Sequence, residues 1–146
     1  MKFATQKRVR FQHCDPAGIV FYPQYYVLLH EVQEDFLAHI GFSEHGLITS
    51  GMGLPIVDMK TEFLGMCRHG DVLSLTLSLT RIGHASLGMH YEIHELAQAA
   101  QGPSAIKLRA KSVVVYSTVP YGKAMRIPDD LRNALRPYLQ SIPEAA

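Results

Sequence analysis

The chain has no tryptophan, only two cysteines, and a charge balance that almost cancels: 14 basic residues against 13 acidic ones give a net charge of +1 over 146 residues. Each shortage excludes something. A near-neutral chain carries no global basic field, so no nucleic-acid partner is expected. Cys14 and Cys67 are too few for a disulfide framework or a thiolate metal site, and the eight histidines fall at no zinc-motif spacing, so neither a metal nor a cofactor is expected. Free thiols suit a reducing compartment, which makes a cytoplasmic location the expectation. No apolar run approaches the ~20 residues of a membrane span, so no membrane partner is expected. The opening Met1-Lys2-Phe3-Ala4-Thr5-Gln6 is followed by no apolar segment of the kind a secretory leader carries. What is present is ordinary for a globular protein: 47% hydrophobic and 18% charged residues. The length suits one domain over residues 1–146 with a core of its own, and no repeat, low-complexity stretch or linker divides it.

Periodicity predicts the element order. Residues 3–12 alternate as a strand, with Lys7, Val9 and Phe11 on one face and Arg8 and Arg10 toward solvent. From Pro23 to Ile40 the period becomes helical. Tyr25, Leu29, Val32, Phe36 and Ile40 step by three or four, Leu28 and Leu37 widen the stripe, and Gln24, Glu31, Gln33, Glu34, Asp35 and His39 take polar positions. Gly41 ends the helix. Residues 43–50 hold one short helical turn, and Ser50-Gly51-Met52-Gly53 reads as a flexible link. Residues 54–64 alternate as a strand that begins at Pro55, and residues 67–71 turn out of it. Leu73, Leu75, Leu77 and Leu79 alternate strictly with small hydroxylated residues over 72–81, and Leu87, Met89, Tyr91 and Ile93 alternate just after. Two such runs so close together predict a long antiparallel hairpin. After a turn at 98–104, Ile106, Leu108, Ala110, Val114 and Tyr116 form another apolar face, with Lys107, Arg109 and Lys111 as a solvated basic ladder opposite. Residues 119–123 are loop, and Pro128-Asp129-Asp130 opens a short final helix. The order predicts an α+β fold, a twisted antiparallel sheet of about five strands with one long helix on a face.

The chemistry gathers where the first strand passes into the long helix. Asp15-Pro16 forms turns, because the Asp side chain bonds nearby N–H groups and Pro fixes φ. Gly18 supplies unusual backbone freedom, and Pro23 suits the first helical position. The unpaired amides at the helix start sit at the positive end of its dipole. One loop therefore sets a carboxylate near donors for an oxyanion, the pairing that acyl transfer needs. On spacing alone, an ordinary turn before an ordinary helix start accounts for the same residues.

The segment His13-Cys14-Asp15-Pro16-Ala17-Gly18-Ile19-Val20-Phe21-Tyr22-Pro23-Gln24-Tyr25 resembles the signature of the 4-hydroxybenzoyl-CoA thioesterase family of hot-dog-fold enzymes. The likeness continues through Pro55-Ile56-Val57, Asp71-Val72-Leu73 and Arg109-Ala110. It implies a hot-dog sheet wrapped around the long helix, subunits joined edge to edge with active sites at their interface, and a homo-oligomer that is a dimer or a homotetramer made of two dimers. It implies hydrolysis of an acyl-CoA thioester to acid and CoA, with an aromatic, hydroxybenzoyl-like acyl group. Asp15 would act as nucleophile or general base, and the Tyr22 backbone amide would polarise the carbonyl. Gly18, Tyr26, His30 and Ser86 fall at substrate-binding positions. His30 stands where the family's founding enzyme lines its ring pocket with an acid, and the neighbouring His30 and Glu31 read equally well as a hydrated helix face. That enzyme grips the nucleotide phosphate with a basic cluster just before a Ser. Here the stretch is Arg81-Ile82-Gly83-His84-Ala85-Ser86, so Arg81, His84, Lys123 and Arg126 are the candidates for CoA binding. No metal and no cofactor beyond the substrate's own CoA are implied. The competing readings are a broad-range thioesterase for short or medium aliphatic acyl groups, a non-catalytic acyl-CoA-binding module, and a hot-dog dehydratase using His13 or His30. Cys14 as a nucleophile lacks an evident base.

Overall fold

Four leucines, at 73, 75, 77 and 79, leave one strand on the same side and are completely buried. They define the inner face of the sheet in the structure, a computed structural model that describes residues 1–96 and 106–141. The strands are β1 (Phe3–Arg8), β2 (Met52–Gly53), β3 (Ile56–Phe63), β4 (Val72–Ile82), β5 (Ser86–Glu95), β6 (Ile106–Val115) and β7 (Ser117–Thr118). Five of them form an antiparallel sheet in the order β1-β4-β5-β6-β3, and β2 pairs with β7. The helices are α1 (Tyr22–His39), α2 (Glu44–Thr49) and α3 (Asp129–Leu135). Leu87, Met89, Tyr91 and Ile93 of β5 and Leu108, Ala110 and Val114 of β6 extend the leucine face. The α1 stripe of Tyr25, Leu28, Leu29, Val32, Phe36 and Leu37 completes the core with it. Each fully buried Leu or Phe contributes roughly 1.5–3 kcal/mol relative to exposure, so the interlock of this stripe with β4 fixes where α1 begins and what its first turn faces.

The alternation carried the fold, and the departures from it have local causes. The first strand stops at Arg8, because residues 11–13 coil into a 3-10 turn in which His13 N–H donates to the Arg10 carbonyl (3.0 Å). Phe11 is thereby turned out to solvent instead of inward. The link 50–53 is not flexible: Met52 and Gly53 pair with Thr118 and Ser117. β3 starts at Ile56, one residue after Pro55, and carries a bulge between Ile56 and Asp58. A second bulge lies in β4 between Leu79 and Arg81, so Thr80 has no partner on β5 while Arg81 faces Gly88 and Ile82 faces Leu87. The ladder of Lys107 and Arg109 is not simply solvated, since it pairs with Glu95 (3.7 Å) and Glu92 (3.8 Å). Gln33 of α1 is buried, not solvated, with 1% of its surface exposed. The predicted turn at 98–104 lies outside the described residues.

The end of α1 and the outer edge of the sheet complete the frame. Gly41 takes φ +89° after α1. Its N–H donates to the Ala38 carbonyl (3.1 Å) and Phe42 N–H to that of Leu37 (2.8 Å), the double bond pattern with which a glycine closes a helix. β3 is an edge strand, and Ile56, Val57 and Phe63 on it are 49, 62 and 50% exposed. No helix among the described residues is long and apolar enough to cross a membrane.

On the opposite face, Glu92 sits between His90 (3.2 Å) and His94 (3.0 Å). The hydrogen bond from His90, with that from His94, pulls the Glu92 carboxyl down to about 2 against the opposing effect of burial. A depressed carboxyl contributes stability above the unfolded value near ~4.3, and that contribution fades as pH falls from there through about 2. Glu92→Gln is therefore expected to unfold at lower urea than wild type at pH 6, with the gap closing as the pH is taken below 4. A gap of equal size at both pH values would mean that Glu92 acts through packing rather than charge.

Candidate active site

Residues 13–21 form a small hairpin. Phe21 N–H donates to the His13 carbonyl (2.9 Å), Asp15 N–H donates to that of Ile19 (3.0 Å), and Cys14 faces Val20. At its tip, Gly18 N–H closes onto the Asp15 carbonyl (2.9 Å) with Gly18 at φ +81°. Ala17 N–H donates to Asp15 Oδ1 (2.8 Å). One carboxylate oxygen thus holds the side chain in place, while Oδ2 has no protein partner among the described residues. The hairpin is tied to the turn before β4, where Val20 N–H donates to the Cys67 carbonyl (2.9 Å) and Ile19 faces Arg68. Cys67 N–H in turn donates to Tyr25 Oη (3.3 Å) in the first turn of α1. Burial pushes the Tyr25 hydroxyl well above its ordinary range, and it pushes the Cys67 thiol up as well. Both stay neutral, and this joint is a hydrogen bond between uncharged groups.

The hairpin runs directly into α1. Tyr22, not Pro23, is the first helical residue; Pro23 is second, with Phe21 as the cap. Gln24 N–H donates to the Phe21 carbonyl (2.8 Å) and Pro23 has no N–H. The Tyr22 N–H therefore has no acceptor among the described residues. It lies one residue beyond the His13–Phe21 pair that closes the hairpin carrying Asp15. A cavity of about 370 Å³ beside Asp15 is walled by Phe11, Cys14, Pro16, Gly18 and His69, and Tyr22 is not part of that wall. The structure brings Asp15 and Gly18 together there. It also adds Phe11 and His69, whose rings meet edge-on at 6.1 Å; the strand-like pattern of residues 3–12 hides Phe11, and nothing in the sequence pattern marks His69.

The remaining candidates fall into two groups. Tyr26 donates to Thr61 Oγ1 of β3 (3.1 Å), with Phe63 edge-on beside it. His30 is held by Glu34 (3.1 Å) and Glu44 of α2 (3.3 Å). Burial, and then a hydrogen bond with Glu34, raises the Glu44 carboxyl. This trio, with ligand atoms within 4.8 Å of one another, is the one grouping among the described residues with the convergence a metal ion would need. Glu31 does not join His30; it faces Lys7 instead (3.9 Å). The polarity of Gln33 suggests a solvated position, but its place four residues after Leu29 and four before Leu37 is the signal that it belongs to the buried stripe.

Arg81, His84, Ser86 and Arg126 gather at the far end of β4. Arg81 Nη2 donates to Ser86 Oγ (2.9 Å), and the His84 carbonyl accepts from Ile127 N–H (2.8 Å). Arg126 pairs with Asp129 (2.8 Å). Lys123 is exposed, and its backbone N–H donates to Thr118 Oγ1 (3.0 Å). Sequence reasoning misses Arg132 of α3, which donates to the Gly83 (3.0 Å) and His84 (3.4 Å) carbonyls and so shapes this turn. The turn at Cys67–Asp71 that holds the Asp15 hairpin lies at the other end of β4. The eleven residues of β4 separate the two ends, roughly 30 Å along the chain.

The profile of the thioesterase-like superfamily matches residues 9–135. The chain is similar to a 1,4-dihydroxy-2-naphthoyl-CoA hydrolase of Synechocystis sp. (27% identical over 134 residues, 91% of this chain and 94% of the relative). It is also similar to a 4-hydroxybenzoyl-CoA thioesterase of Pseudomonas sp. (24% over 119 residues, 77% and 80%). Among solved structures, a gentisyl-coenzyme A thioesterase superposes with a TM-score of 0.78 at 25% identity, covering 92% of this chain and 99% of its own.

The hairpin's shape rests on the positive φ of Gly18, and no atom lies within 4 Å of a Cβ built there. The cost of a side chain is thus conformational rather than steric. Gly18→Ala is expected to lower stability by about 1 kcal/mol or more, whereas Gly18→Asn, which tolerates a left-handed backbone, should lose less. Identical melting of all three proteins would show that the hairpin does not need this conformation.

Proposed function

The chain belongs to the thioesterase-like superfamily and is a thioester hydrolase with a hot-dog fold, and from that premise we propose that it hydrolyses an aromatic acyl-CoA with Asp15 as the catalytic carboxylate. One observation carries this reading: the Asp15 side chain is immobilised through one oxygen by Ala17 N–H, with the other unpartnered among the described residues. It hangs on a hairpin that ends at an unpaired helix-start amide, that of Tyr22. The free oxygen attacks the thioester carbonyl, or it takes a proton from a water that attacks. In either route the C–S bond breaks, CoA leaves as the thiol, and one water supplies the hydroxyl of the product acid. The Tyr22 N–H, strengthened by the α1 dipole, holds the carbonyl oxygen as it becomes negative. No cofactor beyond the substrate's CoA enters these steps. The three relatives act, by their names, on hydroxylated aromatic acyl groups, which favours an aromatic acyl group over an aliphatic one.

The same reading needs more than one chain. Arg81, His84, Ser86 and Arg126 are the best-grouped cations and donors for the CoA nucleotide, with Lys123 a further candidate from the nearby loop. They stand roughly 30 Å along β4 from the hairpin. A second subunit joined along the exposed β3 edge, whose apolar residues support such a contact, would bring one subunit's cluster toward its partner's Asp15. Tyr26 of α1, which donates to Thr61 of that strand, would then lie within the shared site.

Asp15→Asn keeps an oxygen for Ala17 N–H, so its melting temperature should match wild type while kcat falls by about a hundredfold or more, read as release of free thiol from an aryl-CoA. Wild-type turnover by that variant removes Asp15 from the mechanism. A second measurement tests the shared site. Asp15→Asn and Arg126→Ala subunits, refolded together and assayed at subsaturating substrate, are expected to exceed the sum of the separate preparations, because each mixed pair holds one intact site. Simple additivity would place the whole site within one chain.

A further inference from the structure

Arg8 and Arg10 stand at the end of β1, and neither forms an ion pair among the described residues. Lys7 beside them is already engaged: its Nζ lies 3.0 Å from Asp35 Oδ2 and 3.9 Å from Glu31 Oε2. With Gln6, Gln12 and His13 these three cations line a cavity of about 240 Å³ where the edge strand β1 meets α1. Leu28 is its one apolar wall residue, and Glu31 is its one carboxylate. The cavity shares no wall residue with the one beside Asp15. His13 is its most telling member, because only 6% of its surface is exposed. Arg10 N–H donates to His13 Nδ1 (2.9 Å). A peptide N–H can only donate, so Nδ1 carries the lone pair and the ring proton sits on Nε2. That N–H has no acceptor among the described residues. A donor withdrawn from bulk water and left without a partner is costly, and an acceptor in the cavity would supply one.

From this wall we propose that the cavity is a binding site for a phosphate group, taken as the dianion. Two guanidinium groups without carboxylate partners match its charge, and their planar forks suit its oxygens. The remaining oxygens accept from His13 Nε2–H and from the side-chain amides of Gln6 and Gln12. A carboxylate has half the charge and too few oxygens to use these donors. The volume lies below the ~300 Å³ at which pockets for whole small molecules begin, so the cavity holds the phosphate group and not a nucleotide or a ring. The phosphate is either free or one borne by CoA. Arg10, Gln12 and His13 belong to the turn just before the Asp15 hairpin, and the His13 carbonyl accepts the closing bond from Phe21 N–H (2.9 Å). A bound phosphate therefore fastens that turn to β1. It binds no reacting atom of the thioester, and the site stands whichever acyl group is cleaved.

The test titrates inorganic phosphate by calorimetry into wild type, Arg8→Gln, Arg10→Gln and Lys111→Gln, in about 0.15 M chloride so that non-specific attraction is screened. Wild type is expected to take up one phosphate per chain at a saturable site. Arg8→Gln and Arg10→Gln should each weaken binding by about tenfold or more. Lys111→Gln removes an exposed cation elsewhere on the sheet and should stay within about twofold. The melting temperature of wild type should rise with added phosphate, and that of the two arginine variants should rise less. No saturable uptake by wild type overturns the proposal. So does an equal loss in Lys111→Gln, which would mark a response to net charge alone. If Arg10→Gln does not fold, Arg8→Gln decides on the same ratio. A second arm adds CoA to phosphate-loaded wild type: competition assigns the site to a phosphate of the substrate, and its absence assigns the site to a separate phosphate.

Discussion

The peptide at Cys67 is gripped from two directions. Its N–H donates to Tyr25 Oη on α1, and its carbonyl accepts from Val20 N–H on the hairpin that carries Asp15. Two elements that meet in sequence at residue 21 are thus locked to a third point more than forty residues away. The long helix cannot shift along the sheet without dragging the acid-bearing hairpin with it, and both are registered to the start of β4. Because burial keeps the Tyr25 hydroxyl and the Cys67 thiol neutral, the joint carries no charge that salt or ordinary pH could alter. Its strength comes from exclusion of water, which depends in turn on the leucine row of β4 and the apolar stripe of α1.

Around that joint the chain separates its tasks. The hairpin and the start of α1 hold the proposed catalytic carboxylate, Asp15. The turn between β4 and β5, clamped by Arg132, holds the cations. The third turn of α1, with α2 and the start of β3, holds a cavity with Gln33, His30 and Glu44 in its wall. A five-stranded sheet provides the spacing between these places, and β3 forms one of its edges.

Much of this is legible in the sequence because a half-buried strand and an amphipathic helix leave regular marks. Leu73 to Leu79 and Tyr25 to Ile40 can hardly be read otherwise, and the turn at Asp15 before the helix is readable from Asp-Pro, Gly18 and Pro23, though not its closure into a hairpin. What stays hidden is hidden for specific reasons. Gln33 occupies an inward position of the helix, but its polarity masks it, and its burial becomes tolerable only through Tyr91, fifty-eight residues away. The pairing of Met52-Gly53 with Ser117-Thr118 joins two dipeptides too short to show a period. Arg132 looks like any cation near the end of a short helix until the fold sets the Gly83 carbonyl against it. The end of the first strand at Arg8 is decided by local 3-10 bonding, which competes with extension without altering the alternating pattern.

Thr80, left without a partner on β5, changes the strand on either side of it. Up to Leu79, odd-numbered residues of β4 point into the core. Past the bulge the even-numbered Ile82 faces Leu87 and packs against the core, while Arg81 is exposed. A single surplus residue has reversed the parity of the strand. Had the ladder continued unbroken, the guanidinium of residue 81 would be the next member of a row of leucines, in a place that no cation tolerates. The protein keeps a seamless hydrophobic interior and a usable positive charge on the same strand by miscounting once.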